Sequence, residues 1–225
     1  MTNVYIAGSG KLALELLNGL MLDHNYNVRA WADRKLSEPS IVVHAGSGRE
    51  LKDIIGHCEQ TNSVLVELST ETNLSSEPLN IPVILSPNTN ILMLKFMFML
   101  EKVGYNFSQY QINLTESHQS GKTSTPGTAI AMAKSLGLAE ENIESIRDPK
   151  IQREELKIPE QSLNRHAYHR IEISDHQSCS INVEAKVLGG SPYAEGVRQI
   201  IIAVSNNTLE KRLYQVTEFI DKGWI

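Results

Sequence analysis

Cysteine is scarce in this 225-residue chain, which has only Cys58 and Cys179. The two lie far apart and make no CxxC or similar spacing, which excludes a disulfide framework or a cysteine-built metal site and fits reduced thiols in a cytoplasmic protein. A basic surplus is missing as well. Lysine and arginine number 21 against 26 acids, giving a net charge of −5 with the two signs interspersed. Such a chain lacks the field that a phosphate backbone demands, so nucleic acid is not an expected partner. Long apolar runs are also absent. The most apolar one, Ile91 to Leu100, carries Lys95 at its centre and has about half the length a bilayer requires. It reads as a buried or interface helix, and no membrane partner is expected. The first residues have no basic segment, and two glycines interrupt their apolar stretch, so they read as folded protein and not as a signal peptide. No internal repeat or low-complexity tract is present.

What the chain does have is 41% apolar residues, enough for one large domain or two small ones with a core. From Met1 to about Asn90, short β-branched runs alternate with helix-length segments. Strands are predicted at Asn3 to Ala7, Asn27 to Trp31, Ile41 to His44, Val64 to Glu67 and Pro82 to Leu85. Helices are predicted at Lys11 to Leu22, Glu50 to Glu59 and residues 90 to 102. That order argues for a parallel sheet of βαβ units. From Gln111 the strands alternate apolar and polar residues, at Gln111 to Thr115, His169 to Ser174 and Ser180 to Leu188, as in a sheet with one solvated or interface face. Residues 195–205 and 209–220 look helical. The expected architecture is α/β: a Rossmann-like dinucleotide-binding domain from 1–104 and 195–225, and an α+β substrate-binding and oligomerisation domain with a mixed open sheet from 105–194.

Gly8-Ser-Gly10-Lys11-Leu12-Ala13 follows the first strand and opens the first helix, the setting required of a dinucleotide fingerprint. Gly8 suits a tight turn, Gly10 a close approach to pyrophosphate, and Ala13 close helix–sheet packing. The helix N-terminus, at Lys11 and Leu12, offers N–H donors to phosphate. Asp33 stands after the second strand, where an acid accepts from the adenosine ribose. Its neighbours Arg34 and Lys35 suit a 2′-phosphate, so NADH and NADPH both stay open. The bland reading is a plain glycine turn.

A second motif lies at Glu116-Ser-His118-Gln119-Ser-Gly-Lys122-Thr-Ser-Thr-Pro-Gly127-Thr128-Ala129. It places an acid, a histidine, a lysine and a Pro-Gly-Thr turn on what reads as a loop before a helix. Histidine exchanges protons near neutral pH. Lys122 suits an anionic, electron-accepting substrate, and Gly127 and Thr128 suit a carboxylate at a helix N-terminus or a simple cap.

These residues resemble the E-x-H-H-x-x-K-x-D-A-P-S-G-T-A signature of the dihydrodipicolinate reductases, the 4-hydroxy-tetrahydrodipicolinate reductases of bacterial and plant lysine biosynthesis. The likeness extends along the chain. Ile41 to Ala45 stands at that family's V-V-I-D-F, Val66 to Thr70 at its V-I-G-T-T-G, Ser86 to Asn90 at its A-P-N-x-S, and Pro192 to Val197 at its D-x-F-A-x-G-A. Leu213 to Ile220 is similar to its ending.

The resemblance implies an NADH- or NADPH-dependent, diaminopimelate-pathway reductase acting on a small cyclic dicarboxylate, built as a homotetramer. Cofactor contacts are then expected from Gly8, Gly10, Lys11, Leu12, Asp33, Arg34, Ala45, Gly46, Glu67, Ser69, Ser86 and Thr89. Substrate contacts are expected from Gln119, Lys122, Gly127 and Thr128, and catalysis from His118 and Lys122. The chain departs from the signature at Gln119 for its second histidine and at Ser124 for its aspartate. Glu67 replaces a glycine near the nicotinamide, the Pro-Ser-Gly-Thr turn has lost a residue, and the connections at 36–40 and 70–81 are short. His166 and His169 lie on a predicted strand, where i and i+3 point to opposite faces, and no metal is expected there.

Overall fold

The computed structural model describes residues 1–69, 74, 79–189 and 193–225. Expectations that touch Thr70 or Pro192 lie outside these. The described residues fall into two units, 1–94 with 193–225 and 95–192. The first boundary therefore lies inside helix α3 (Ile91–Val103) and not after residue 104.

The first unit is built on six parallel strands: β1 (Thr2–Ala7), β2 (Tyr26–Ala30), β3 (Ser40–His44), β4 (Val64–Glu67), β5 (Val83–Leu85) and β10 (Leu213–Gln215), in the order β10-β5-β4-β3-β1-β2. Their near-continuous apolar sequences follow from burial on both faces. One face holds Val4, Ile6, Ile41, Val43, Val66 and Ile84 against α1 (Lys11–Gly19), α6 (Ala194–Asn206) and α7 (Val216–Asp221). The other holds Tyr5, Val42, Leu65 and Val83 against α2 (Leu51–Thr61).

Two expectations change here. The first helix stops at Gly19 and not at Leu22. Residues 209–220 are not one helix, because Leu213–Gln215 pairs with β5 as an edge strand before α7 begins. Leu213-Tyr214-Gln215 has no β-branched residue to mark it, unlike the equally short Val83-Ile84-Leu85 of β5.

The second unit has a four-stranded mixed sheet, β7-β6-β8-β9, formed by β6 (Gln111–His118), β7 (Ile143–Ile146), β8 (His166–Ser174) and β9 (Ser180–Leu188). β7 runs parallel to β6, whereas β8 and β9 are antiparallel to their neighbours. Helix α4 (Gly127–Leu136) buries Ala129, Met132, Ala133 and Leu136. The pair formed by β7 and α5 (Pro149–Glu154) was not anticipated, although Asp148 caps α5 and Pro149 opens it, a start signal that was legible. β6 runs three residues past Thr115, so Glu116 and His118 sit on a strand and not on a loop. Among the described residues no helix is long and apolar enough to cross a membrane.

Candidate functional site

At the carboxyl edge of the parallel sheet, β1 has β2 on one side and β3 on the other. This is the switch point where α/β sheets take nucleotides. Gly8 leaves β1 with φ +127°, and a Cβ on it would lie 2.5 Å from the carbonyl oxygen of Ala45. Only glycine fits that position. Gly10 caps α1 in extended conformation without a side-chain cap, and a Cβ there would meet nothing within 4 Å. The amides of the first turn, Lys11 to Ala13, lack intrahelical acceptors. Lys11 is exposed, while the Leu12 side chain packs on the core.

The remaining cofactor candidates divide. Asp33 is exposed at the end of a short 3-10 turn, Trp31–Asp33. Arg34 stacks over the Trp31 ring at 4.1 Å and pairs with Asp53 at 3.2 Å, and Lys35 pairs with Glu38 at 3.1 Å. Both cations thus have acids of their own. Ala45 donates its amide to Ala7 at 2.7 Å, beside Gly46.

Glu67, expected to meet nicotinamide, is fully buried. One of its oxygens lies 2.6 Å from His44 Nδ1, and the other accepts the Ser69 amide at 2.7 Å. Its carboxylate is engaged inside the unit. Among the described residues the buried Ser69 hydroxyl has no partner. Ser86 is buried and donates its hydroxyl to the Asn88 carbonyl at 2.8 Å. Thr89 is buried, and its carbonyl packs against Gly196, where a Cβ would collide with it.

In the second unit, strand alternation puts Glu116 and His118 on one face of β6, with His169 of β8 directly opposite Glu116. His118 Nδ1 lies 2.8 Å from Glu116 Oε2, and Arg147 donates from its terminal nitrogen to Glu116 Oε1 at 2.5 Å. Glu116 is fully buried. Burial alone would raise its pKa, but hydrogen bonds from His118, Arg147 and Ser145 prevail and hold it at about 2. An ionised carboxylate only accepts, so the His118 nitrogen facing it carries hydrogen, which leaves Nε2 as the atom that exchanges a proton.

His166 and His169 of β8 lie beside His118. The His169 ring lies edge-on to His118 at 5.8 Å between centroids, and the His166 ring is stacked against it at 6.5 Å. His169 is 2% exposed, and neither of its ring nitrogens has a partner. Burial, and then the charge on His118, lowers it to about 4, so it is neutral near pH 7. Burial also lowers His166, whose Nε2 meets Ser117 Oγ at 3.1 Å. Among the described residues no group of three or more His, Cys, Asp or Glu is arranged to hold a metal.

Lys122 is half-buried, and among the described residues its ammonium has no ion pair. Its amide donates to the Gln119 carbonyl at 2.9 Å, and its own carbonyl accepts from Arg147 Nε at 2.9 Å. Arg147 therefore holds both Glu116 and the lysine turn. Gln119 is exposed. Gly127 and Thr128 open α4, whose N-cap, Pro126, offers no side-chain acceptor to the free amides. Arg147 and Gln152 escaped the sequence reading. The Gln152 amide donates to Ser117 Oγ and to the His118 carbonyl. Both follow β7, whose two isoleucines stand three residues apart, a helical and not a strand spacing.

No family model matches the chain. It is 29% identical over 160 residues to 4-hydroxy-tetrahydrodipicolinate reductase 1, chloroplastic, of Arabidopsis thaliana, covering 65% of this chain and 46% of the relative. It is 33% identical over 136 residues to the probable 4-hydroxy-tetrahydrodipicolinate reductase 2, chloroplastic, of Oryza sativa subsp. japonica, covering 56% and 41%. The matches thus span less than half the length of these relatives. In fold, the dipicolinate-bound dihydrodipicolinate reductase from Paenisporosarcina sp. TG-14 superposes with a TM-score of 0.67 at 16% identity, over 96% of this chain and 97% of that one. In sequence and in fold the chain is thus similar to the dihydrodipicolinate reductases.

Proposed function

We propose that the chain is an NADH- or NADPH-dependent oxidoreductase that reduces 4-hydroxy-tetrahydrodipicolinate to tetrahydrodipicolinate in lysine and diaminopimelate biosynthesis. The observation that carries this reading is the His118–Glu116 pair at 2.8 Å, in a stretch that resembles the reductase signature, beside a Lys122 that has no ion pair among the described residues. The residues of the first unit fit a dinucleotide, since Gly8 makes the tight turn and the first amides of α1 are free for a pyrophosphate. When bound there, NADH or NADPH would supply hydride chemistry.

The chain's own residues then have distinct tasks. His118 Nε2 delivers the proton to the carbon next to the one reduced. Glu116 keeps Nδ1 protonated and stabilises the imidazolium, while Arg147 holds Glu116 ionised. The Lys122 ammonium balances a substrate carboxylate and the charge that develops during reduction. Gln119 donates its amide, and the amides of Gly127 and Thr128 hold a carboxylate at the head of α4. His169, buried and neutral, adds no second charge beside His118.

Gln119, uncharged where the signature has histidine, favours one alternative, a reductase of this family acting on another cyclic imine. A coupled assay following NAD(P)H absorbance, with enzymatically made 4-hydroxy-tetrahydrodipicolinate and a panel of cyclic imines, tests both readings. Absence of turnover on the former defeats the proposal. Cofactor preference should be even or tilt to NADH, because Arg34 and Lys35 are already paired with Asp53 and Glu38. We further propose a cytoplasmic homotetramer. Its support is β9, an edge strand with Ile181 exposed and Val183 and Val187 only half-buried, a face that a second sheet would cover.

A further inference from the structure

His44 ends β3, and its one imidazole touches side chains from two other elements. The ring is fully buried. Nδ1 lies 2.6 Å from Oε2 of the equally buried Glu67 at the end of β4. Nε2 lies 3.5 Å from Oε1 of Glu50, at the head of α2, and has no hydrogen-bond partner. Both ring nitrogens thus face carboxylate oxygens. A neutral imidazole has one N–H and one lone pair, so it would aim a lone pair at an anion; only an imidazolium presents N–H to both. Burial opposes that charge, yet Glu67 and then Glu50 raise His44 above the usual histidine value. Its partner on β1 is the uncharged Ala7.

What the ring supports is the turn from Ala45 to Glu50. A Cβ on Gly46 would lie 2.7 Å from His44 Nε2 and would collide with the Glu50 carboxylate, so the turn rests directly on this pair. On its far side, the Ala45 carbonyl packs against Gly8. Imidazole, turn and glycine loop are therefore in series at the switch point, and a shift in the first passes to the last through hard contacts.

We propose that His44 is a positioning residue for dinucleotide binding: as an imidazolium between Glu67 and Glu50, it holds the Ala45–Glu50 turn against the Gly8 loop and offsets carboxylate charge where an anionic pyrophosphate docks. This rests on the dinucleotide reading given above. Loss of the proton leaves two carboxylates beside the anion site and a lone pair against one of them. Cofactor affinity is then high at low pH and falls as pH rises through the deprotonation of His44. The span of the fall is about tenfold for each unit by which bound cofactor raises the His44 pKa.

The experiment has two readouts on the full chain. In the first, ¹⁵N NMR of the free protein reports whether both His44 ring nitrogens carry hydrogen at pH 7; a neutral ring overturns the inference without any cofactor. In the second, calorimetry measures NADH affinity from pH 6 to 9 for the wild type and for His44→Gln, whose amide still donates to Glu67 but does not titrate. The expected result is a fall in wild-type affinity with rising pH and a flat profile in the variant, with circular dichroism confirming that both are folded. Should His44→Gln not fold, Glu50→Gln serves instead, and a smaller pH step than in the wild type is expected. Equal pH profiles in wild type and variant overturn the inference alone. Failure of the wild type to bind NADH or NADPH at any pH removes the dinucleotide reading and this inference with it.

Discussion

Glu116 and His118 sit two residues apart on one face of β6, with carboxylate Oε2 and imidazole Nδ1 2.8 Å apart and Arg147 closing the other side of the carboxylate. A buried anion in this position fixes one imidazole tautomer, as the general-acid role proposed for His118 requires.

Glu116→Gln should lower kcat by roughly 10²–10⁴-fold, because a neutral amide no longer stabilises a protonated His118. It should also lower the melting temperature, since Arg147 loses its carboxylate; breaking a buried pair costs up to about 3–5 kcal/mol. Adding Arg147→Met should recover stability but not rate. Recovery of both in the double variant, measured by thermal melting and by turnover, would show that Glu116 serves the fold alone.

His118 and Lys122 should separate kinetically. His118→Gln is expected to reduce kcat by roughly 10²–10⁴-fold with little change in KM. Lys122→Ala should raise KM as well, because an ammonium with no ion pair of its own holds the ground-state carboxylate and the transition state alike. The double variant should lose less than the product of the two losses. Wild-type turnover in both single variants would sink the site.

Acid should unfold the protein in two steps. His169 is lowered from 6.5 to about 4, so folding favours its neutral form. That contribution is complete above pH 6.5 and is lost as pH falls toward 4. Glu116 is lowered from 4.5 to about 2, so its contribution is complete above pH 4.5 and is lost between there and 2. Replacing His169 with phenylalanine should reduce the fall in melting temperature between pH 7 and 4, the buried His166 keeping part of it, and leave the lower step. An unchanged slope above pH 4.5 would contradict the burial of an uncharged His169.

The two glycines of the first loop should fail differently. Gly8→Ala strains a backbone at φ +127° and drives a Cβ into the Ala45 carbonyl, so it should destabilise the fold by about 1–3 kcal/mol as well as weaken NADH binding. Gly10→Val meets open space, so it should fold normally and lose nucleotide affinity. Chemical denaturation and calorimetry of the two variants separate these outcomes; normal NADH affinity in Gly10→Val would remove the fingerprint.

Local pattern determined much of this protein. The run Gly8-Ser-Gly10 after a strand, the β-branched segments at 41–44 and 64–67, and the alternation at 180–188 each express a periodicity or a turn constraint that neighbouring residues set among themselves, and they stand in the structure as parallel and antiparallel strands. The roles expected of Glu116, His118 and Lys122 were legible through their resemblance to a known signature. Only the tertiary structure decided what surrounds them. Arg147 and His169 lie 31 and 53 residues beyond Glu116 along the chain and reach it because β7 and β8 flank β6. His44, Glu50 and Glu67 meet because β3 and β4 are adjacent and α2 starts beside them. Strand pairing sets which distant side chains share a face, and no local preference encodes it. The charge states of Glu116, His169 and His44 depend in turn on that burial and those partners.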